Sequence, residues 1–140
     1  MLMGEFEHSV DTKGRLFMPA RLREELGKAF VITKGVDGCI DVYPLDAWER
    51  LKTSFAQKIM PKKKERDVAR FLFGSSVEVE PDKQGRILLP ANLRKHAGLG
   101  ATATIIGTGS KAEIWDTEKY QAYSKEVEED VVSLVEDLEF

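Results

Sequence analysis

Apolar residues fall along this chain in short runs that glycine, proline and aspartate interrupt, a pattern that predicts many small elements. Leu16-Phe17-Met18 and Ile87-Leu88-Leu89 are three-residue apolar runs suited to short buried strands. Before each stands Asp-x-x-Gly-Arg, in which Asp11 or Asp82 folds its carboxylate back onto the chain and Gly14 or Gly85 supplies a positive φ for a tight turn. After each stands Pro19 or Pro90, which biases its predecessor to extended geometry and fits the first position of a helix. Those helices last about two turns, to Gly27 and Gly98, which suit the position just past a helix end. Gly35-Val-Asp-Gly38 and Gly107-Thr-Gly109-Ser110 then mark the loops of two hairpins.

Three longer stretches carry helical spacing. Asp46-Ala-Trp-Glu49 has the form of a capping box, and Trp48, Leu51, Phe55 and Ile59 follow as an apolar stripe. Pro61 starts a further helix that includes Val68, Phe71 and Leu72 and ends at Gly74. Near the C-terminus, Tyr120, Tyr123, Val127, Val131, Leu134 and Leu138 step by three and four, close to a heptad seam. Such a seam packs either on its own domain or against another subunit.

The pattern is written twice. Residues 11–27 return at 82–98 with Asp, Gly, Arg, Pro, Ala, Leu, Arg and the closing Gly in place. Phe6-Glu7 matches Val77-Glu78, and Asp41-Val42-Tyr43 matches Glu113-Ile114-Trp115. A period of roughly 70 residues found twice is a duplicated half-domain and no solenoid. Each half reads strand, turn, strand, short helix, hairpin, helix. The predicted organisation is a first half over 1–60 (core 5–48), a linker helix over 61–75, and a second half over 76–140 (core 76–120) ending in the amphipathic helix.

Charge sharpens this picture. The net charge is −3, yet the distribution is polarised. Residues 124–140 hold seven carboxylates against Lys125 and carry about −6, which leaves about +3 for the rest. Basic residues gather at Lys13–Arg15, Arg21–Arg23, Lys62–Arg70 and Lys83–Arg94. Lys62-Lys63-Lys64 is either a solvated helix start or a supplementary phosphate contact. No apolar run approaches the ~18 residues of a membrane span, and no basic segment followed by an apolar one opens the chain. Cys39, the single cysteine, has no internal partner, which favours a reducing compartment. A soluble, cytoplasmic, nucleoid-associated protein is expected.

The paired turns are the leading functional candidate. An Asp11–Arg15 or Asp82–Arg86 ion pair across a turn rigidifies the hairpin, but an exposed pair is worth only ~0–1 kcal/mol. The second role is ligand contact by an arginine that the aspartate orients. Asp-x-x-Gly-Arg followed by an apolar run, Pro and Leu-Arg resembles the swapped-hairpin DNA-binding modules of the AbrB type. Two such modules in one chain, with Tyr43-Pro44-Leu45-x-x-Trp48, Arg70-Phe-Leu-Phe-Gly74, Arg94-x-His96-Ala-Gly98-Leu99 and Glu113-Ile-Trp115-Asp116, resemble the MraZ family of bacterial transcriptional regulators over essentially the whole length.

The resemblance implies an α+β fold: a pseudo-two-fold, duplicated, swapped-hairpin double-split β-barrel with flanking helices that assembles into a homo-oligomeric ring. It also implies binding to short direct repeats in double-stranded promoter DNA. Arg15 and Arg86 fall on the family's arginine, and Asp11 and Asp82, with Gly14 and Gly85, shape the turns. Lys13 adds charge to the first turn; the equivalent position in the second is Gln84, with Lys83 displaced by one, so Arg15 is favoured over Arg86. Arginine reads a guanine edge with two parallel hydrogen bonds or clamps phosphate, whereas lysine supplies a point charge. Arg21, Arg23 and Arg94 are second-tier, either helix-surface charges or phosphate contacts.

Other signals carry less. Gly107-Thr-Gly109-Ser-Lys-Ala112 matches a dinucleotide pattern but lies in a predicted hairpin, and Lys111 lacks the Ser/Thr of a phosphate loop. His8 and His96 have no partners at metal-ligand spacing, and Cys39 reads as a small buried residue with no activating neighbour. No metal, cofactor or catalytic activity is expected. The alternative reading is an antitoxin-like interaction protein whose acidic C-terminal helix binds a partner, against which the whole-length duplication argues.

Overall fold

A computed structural model describes residues 1–58 and 62–138. Ile59 of the apolar stripe and the helix start at Pro61 lie outside the described residues. The elements follow the predicted order in both halves. The first half holds β1 (Glu5–Ser9), β2 (Arg15–Phe17), α1 (Ala20–Leu26), β3 (Phe30–Lys34), β4 (Ile40–Pro44) and α2 (Leu45–Ala56). An inserted helix, α3 (Lys63–Gly74), precedes β5 (Val77–Val79), β6 (Arg86–Leu88), α4 (Ala91–Ala97), β7 (Thr102–Gly107), β8 (Ala112–Asp116) and α5 (Thr117–Leu138).

The fold is mixed α+β with all strand pairs antiparallel. One sheet has the order β1-β7-β8-β4-β3-β5, and β2 and β6 form a separate two-stranded ribbon. Among the described residues, the strand ladders within a half are the hairpins β3–β4 and β7–β8, besides a single bridge between Val10 and Leu16. Elsewhere each half completes the other: β1 lies on β7, β5 on β3, β2 on β6 and β4 on β8. Three-residue strands such as β2, β5 and β6 are too short to persist unpaired, so the exchange makes the halves one cooperative unit. Their buried side chains form one cluster: Leu16, Met18, Leu22, Phe30, Ile32, Ile40 and Val42 meet Ile87, Leu89, Leu93, Ile105 and Ile114.

Local chemistry differs from the sequence expectation at several points. Pro19 and Pro90 occupy the N-cap positions of α1 and α4, with ψ near 142° and 148°, one residue before the helices begin. Pro44 plays the same part for α2, so Asp46 lies inside the first turn and is not the N-cap. Its carboxylate accepts from Ala47 N–H and pairs with Arg50. Proline's fixed φ, with the extended ψ seen at Pro44, ends the approach strand and starts α2 at Leu45, two residues too early for a capping box at Asp46. The apolar runs in β2 and β6 alternate: Leu16 and Ile87 point inward, while Phe17 and Leu88 face out.

The flanking helices dock unequally. Leu72 on α3 is buried, Thr33 Oγ1 on β3 donates to the Leu72 carbonyl, and Phe73 stacks edge-on against Trp48 and Phe55 of α2. On α5, Tyr120 and Tyr123 pack against Trp115, 5.4 and 5.1 Å away between ring centroids. Beyond them the heptad seam runs off the body, leaving Val131, Leu134 and Leu138 exposed. Packing on its own domain therefore accounts only for the first part of that seam. No helix among the described residues is long and apolar enough to cross a membrane.

At the centre, β4 and β8 pair with Asp41 opposite Glu113, the two positions that the duplication equates. Lys111 Nζ donates to Asp41 Oδ1 (3.0 Å) and to Glu113 Oε2 (2.7 Å). Trp115 Nε1 donates to Glu113 Oε1 at 3.0 Å. Burial opposes the Lys111 charge, yet the hydrogen bonds and negative charges of Glu113 and Asp41 prevail and hold its pKa above the ordinary lysine value. Removing one member of a buried charge group leaves the others uncompensated. Lys111→Ala should therefore destabilise the chain by on the order of 3 kcal/mol in denaturant unfolding, and Lys111→Met should not rescue it.

Candidate functional site

Both predicted turns form, and with the same hydrogen bonds. In the first, Asp11 N–H donates to the Arg15 carbonyl (3.0 Å) and Gly14 N–H to the Asp11 carbonyl (3.0 Å). Asp11 Oδ1 accepts from the backbone N–H groups of Lys13 and Arg15, each at 2.9 Å, and Oδ2 accepts from Arg15 Nε at 2.7 Å. In the second, Asp82 Oδ1 accepts from Gln84 and Arg86 N–H, each at 2.9 Å, and Oδ2 from Arg86 Nε at 3.0 Å. Gly14 and Gly85 take φ of 82° and 81°, where a side chain is strained.

The aspartate thus fixes both the backbone and the arginine. Only Nε of each arginine is engaged, so Nη1 and Nη2 of Arg15 and Arg86 make no hydrogen bond to any described residue. Each guanidinium is held at Nε, on a side chain that is 34% exposed for Arg15 and 30% for Arg86. Lys13 and Lys83 are exposed beside them. The turn N–H that the aspartate satisfies belongs to Lys13 in one half and Gln84 in the other, so those side chains are free of structural duty. The backbone hydrogen bond from Arg15, followed by that residue's side chain and Lys13, lowers the Asp11 pKa from 3.8 to about 2. The Asp82 pKa is lowered in the same way, first by the Arg86 backbone N–H.

Arg23 and Arg94 have a role that the sequence does not show. Arg23 Nε donates to the Met18 carbonyl (2.7 Å) and Arg94 Nε to the Leu89 carbonyl (3.0 Å). Each then lies under the turn of the opposite half. A Cβ on Gly14 would sit 2.8 Å from the Arg94 guanidinium carbon, and one on Gly85 would sit 2.9 Å from that of Arg23. The positive φ is what requires glycine at both positions, and any side chain there would also push the bracing guanidinium aside. The cross-bracing also leaves two matched clefts, one between α1 and Pro81-Asp82 and one between α4 and Val10-Asp11. Arg21 is exposed on α1, and among the described residues no hydrogen bond or ion pair joins it to either turn.

The family model described as "MraZ protein, putative antitoxin-like" matches this chain twice, over residues 1–71 and 72–137. The chain belongs to the MraZ family. It is 51% identical to a "Transcriptional regulator MraZ" of Heliobacterium modesticaldum, over 89% of this chain and 87% of that protein. It is 47% identical to the one of Pelotomaculum thermopropionicum (96% and 97% covered). With that of Caldanaerobacter subterraneus subsp. tengcongensis it shares 43% (99% and 97% covered). The two matches of the family model meet between the halves, so each repeat brings one Asp-x-x-Gly-Arg turn.

The remaining candidates separate from this site. Residues 107–112 form the β7–β8 hairpin, as expected, and present no helix N-terminus to a phosphate. Cys39 is buried, and burial, then the charges of Glu113 and Asp41, raise its thiol pKa, which keeps it protonated. Its Sγ lies with carboxylate oxygens of Asp41 and Glu113 within 4.8 Å, a donor cluster that sequence spacing concealed, and Lys111 already supplies the cation there. Lys63 and Arg70 both pair with Asp67, which withdraws part of the basic α3 segment from external use.

A depressed carboxylate pKa stabilises the fold above the unfolded value near 3.8, and that contribution disappears as pH falls through about 2. Carboxyl-carbon NMR should show Asp11 titrating near the lower value. Arg15→Ala should move the midpoint upward only part of the way, because the position-15 backbone N–H remains the larger cause.

Proposed function

We propose that this chain is a sequence-specific, DNA-binding transcriptional regulator that represses promoters, its own among them, by gripping short direct repeats. The observation that carries the proposal is the pair of identical turns, each holding an arginine by Nε alone with the rest of its guanidinium free. A planar fork fixed at one edge is pre-organised for bidentate contact with guanine O6 and N7 or with phosphate. Arg15 with Lys13 leads the contact, Arg86 with Lys83 follows, and Arg23 and Arg94 hold the turns from beneath. The exchange of strands between halves is, in this reading, the swapped-hairpin double-split barrel, a built-in dimer of DNA-facing turns.

One pair of turns is a small surface, so the reading includes assembly into a homo-oligomeric ring. Two apolar surfaces favour it: the exposed Val131, Leu134 and Leu138 on α5, and the groove between α2 and α3 lined by Trp48, Phe55 and Phe73. Linked weak sites gain roughly 10²–10⁴ in avidity when spacing matches. Repeats about 10 bp apart keep successive subunits on one face of the duplex.

Footprinting on the DNA upstream of this protein's own gene tests the reading. Protection should repeat at about one helical turn and weaken steeply with salt, as counterion release requires. Arg15→Ala should cost about 1–3 kcal/mol per engaged site; unchanged affinity would remove Arg15 from the interface. A monodisperse monomer by light scattering would remove the ring, and a small protein co-purifying in stoichiometric amount would favour the antitoxin-like alternative.

A further inference from the structure

The β2–β6 ribbon turns four side chains outward. Leu16 and Ile87 face the core, so Arg15, Phe17, Arg86 and Leu88 occupy the opposite face. Leu89 N–H donates to the Gly14 carbonyl and Met18 N–H to the Gly85 carbonyl. These bonds place Arg15 opposite Leu88 and Phe17 opposite Arg86 at non-hydrogen-bonded positions, where facing side chains approach most closely. The arginines lie on one diagonal of the quartet and the apolar residues on the other.

The two apolar members, which the duplication equates, are not equally available. Phe17 is covered: His8 packs on it edge-on at 4.9 Å between centroids, and the Arg23 guanidinium lies 5.3 Å from its ring centroid. Leu88 has no such cover and is 59% exposed, although Ile87 and Leu89 beside it are 1% and 0% exposed. A bare leucine thus stands directly across from Arg15.

We infer that Leu88 is a specificity-determining residue that packs against the C5-methyl group of a thymine in the major groove, beside the base pair that Arg15 engages. The inference rests on the DNA-binding reading above. A two-stranded ribbon fits the major groove, and the thymine methyl is the one apolar mark that groove displays. Directly opposed side chains have Cβ atoms about 4.5–5.5 Å apart, and successive bases on a strand rise about 3.4 Å. Arginine and leucine therefore reach adjacent steps of one site. Leu88 is surrounded by charge that suits DNA and suits an apolar protein partner poorly, with Arg15 and Arg86 beside it and Lys13 and Lys83 in the flanking turns. Because Phe17 is withheld, the two halves read different bases, which gives the site a direction.

The test uses duplexes enriched from a randomised library by the full-length wild-type chain, with the best-bound duplex resynthesised with deoxyuridine replacing each thymine in turn. At one thymine, loss of the methyl should weaken wild-type binding about fourfold, as expected for one buried methyl-sized group. Leu88→Ala should bind the parent duplex correspondingly less well and be indifferent to that replacement. A flat deoxyuridine scan, an enriched duplex without thymine, or equal sensitivity in wild type and Leu88→Ala would each overturn the role of Leu88 while leaving DNA binding intact. Failure to enrich any duplex would overturn the DNA-binding reading itself, and Leu88 with it.

Discussion

Each half of this chain is left with open strand edges that only the other half satisfies. Strand β1 has its ladder in β7, β5 has its ladder in β3, and β2 has its ladder in β6, with a single bridge from Leu16 to Val10 inside its own half. Unpaired backbone groups cost too much to bury, so the core cannot close until both halves are present. The same requirement fixes the geometry of the two turns. Because β2 and β6 pair with Leu16 opposite Ile87, Arg15 and Arg86 must emerge on one face, two residues from each other along the ribbon. The spacing between the turns follows from register, independent of any loop.

Within each turn, one carboxylate meets three donors: two backbone N–H groups and one guanidinium Nε. An aspartate used this way does two things at once, since the bonds that shape the turn also fix the arginine. Lysine at position 15 would supply the charge but not the divided guanidinium, one edge held and one free. Glutamate at position 11 would add a methylene and lose the short return to the backbone that makes an Asx-turn. The opposite half then supplies the floor, Arg94 beneath the first turn and Arg23 beneath the second.

The turns were legible in the sequence because their chemistry is local: aspartate, glycine and arginine lie within five residues and recur in register. The order of elements was legible for the same reason. What escaped was non-local. Arg23 and Arg94 look like helix-surface charges because the turns they brace lie in the other half, and nothing in their own segments reveals the exchange. The Lys111 bridge to Asp41 spans 70 positions. Leu88 was hidden differently: a run of three apolar residues gives no period, so only strand pairing showed that its middle member faces out. Asp46 misled because a capping-box spacing says nothing about a proline two residues earlier that already fixes the helix start.

Fusing the halves into one chain also permits what a symmetric dimer forbids. The pairing of Asp41 with Glu113 makes Cys39 and Lys111 equivalent positions across the pseudo-two-fold. Two copies of the first half would bring together two buried aspartates and two thiols, with no cation between them. The actual chain places one ammonium against both carboxylates, with the thiol completing the packing. The first half therefore depends on the second for its charge balance as well as for its strand edges. The same freedom operates on the outer face, where Lys13 is answered by Gln84 and a sheltered Phe17 by a bare Leu88. Duplication supplied the two turns, and fusion allowed the surfaces around them to differ without unbalancing the centre.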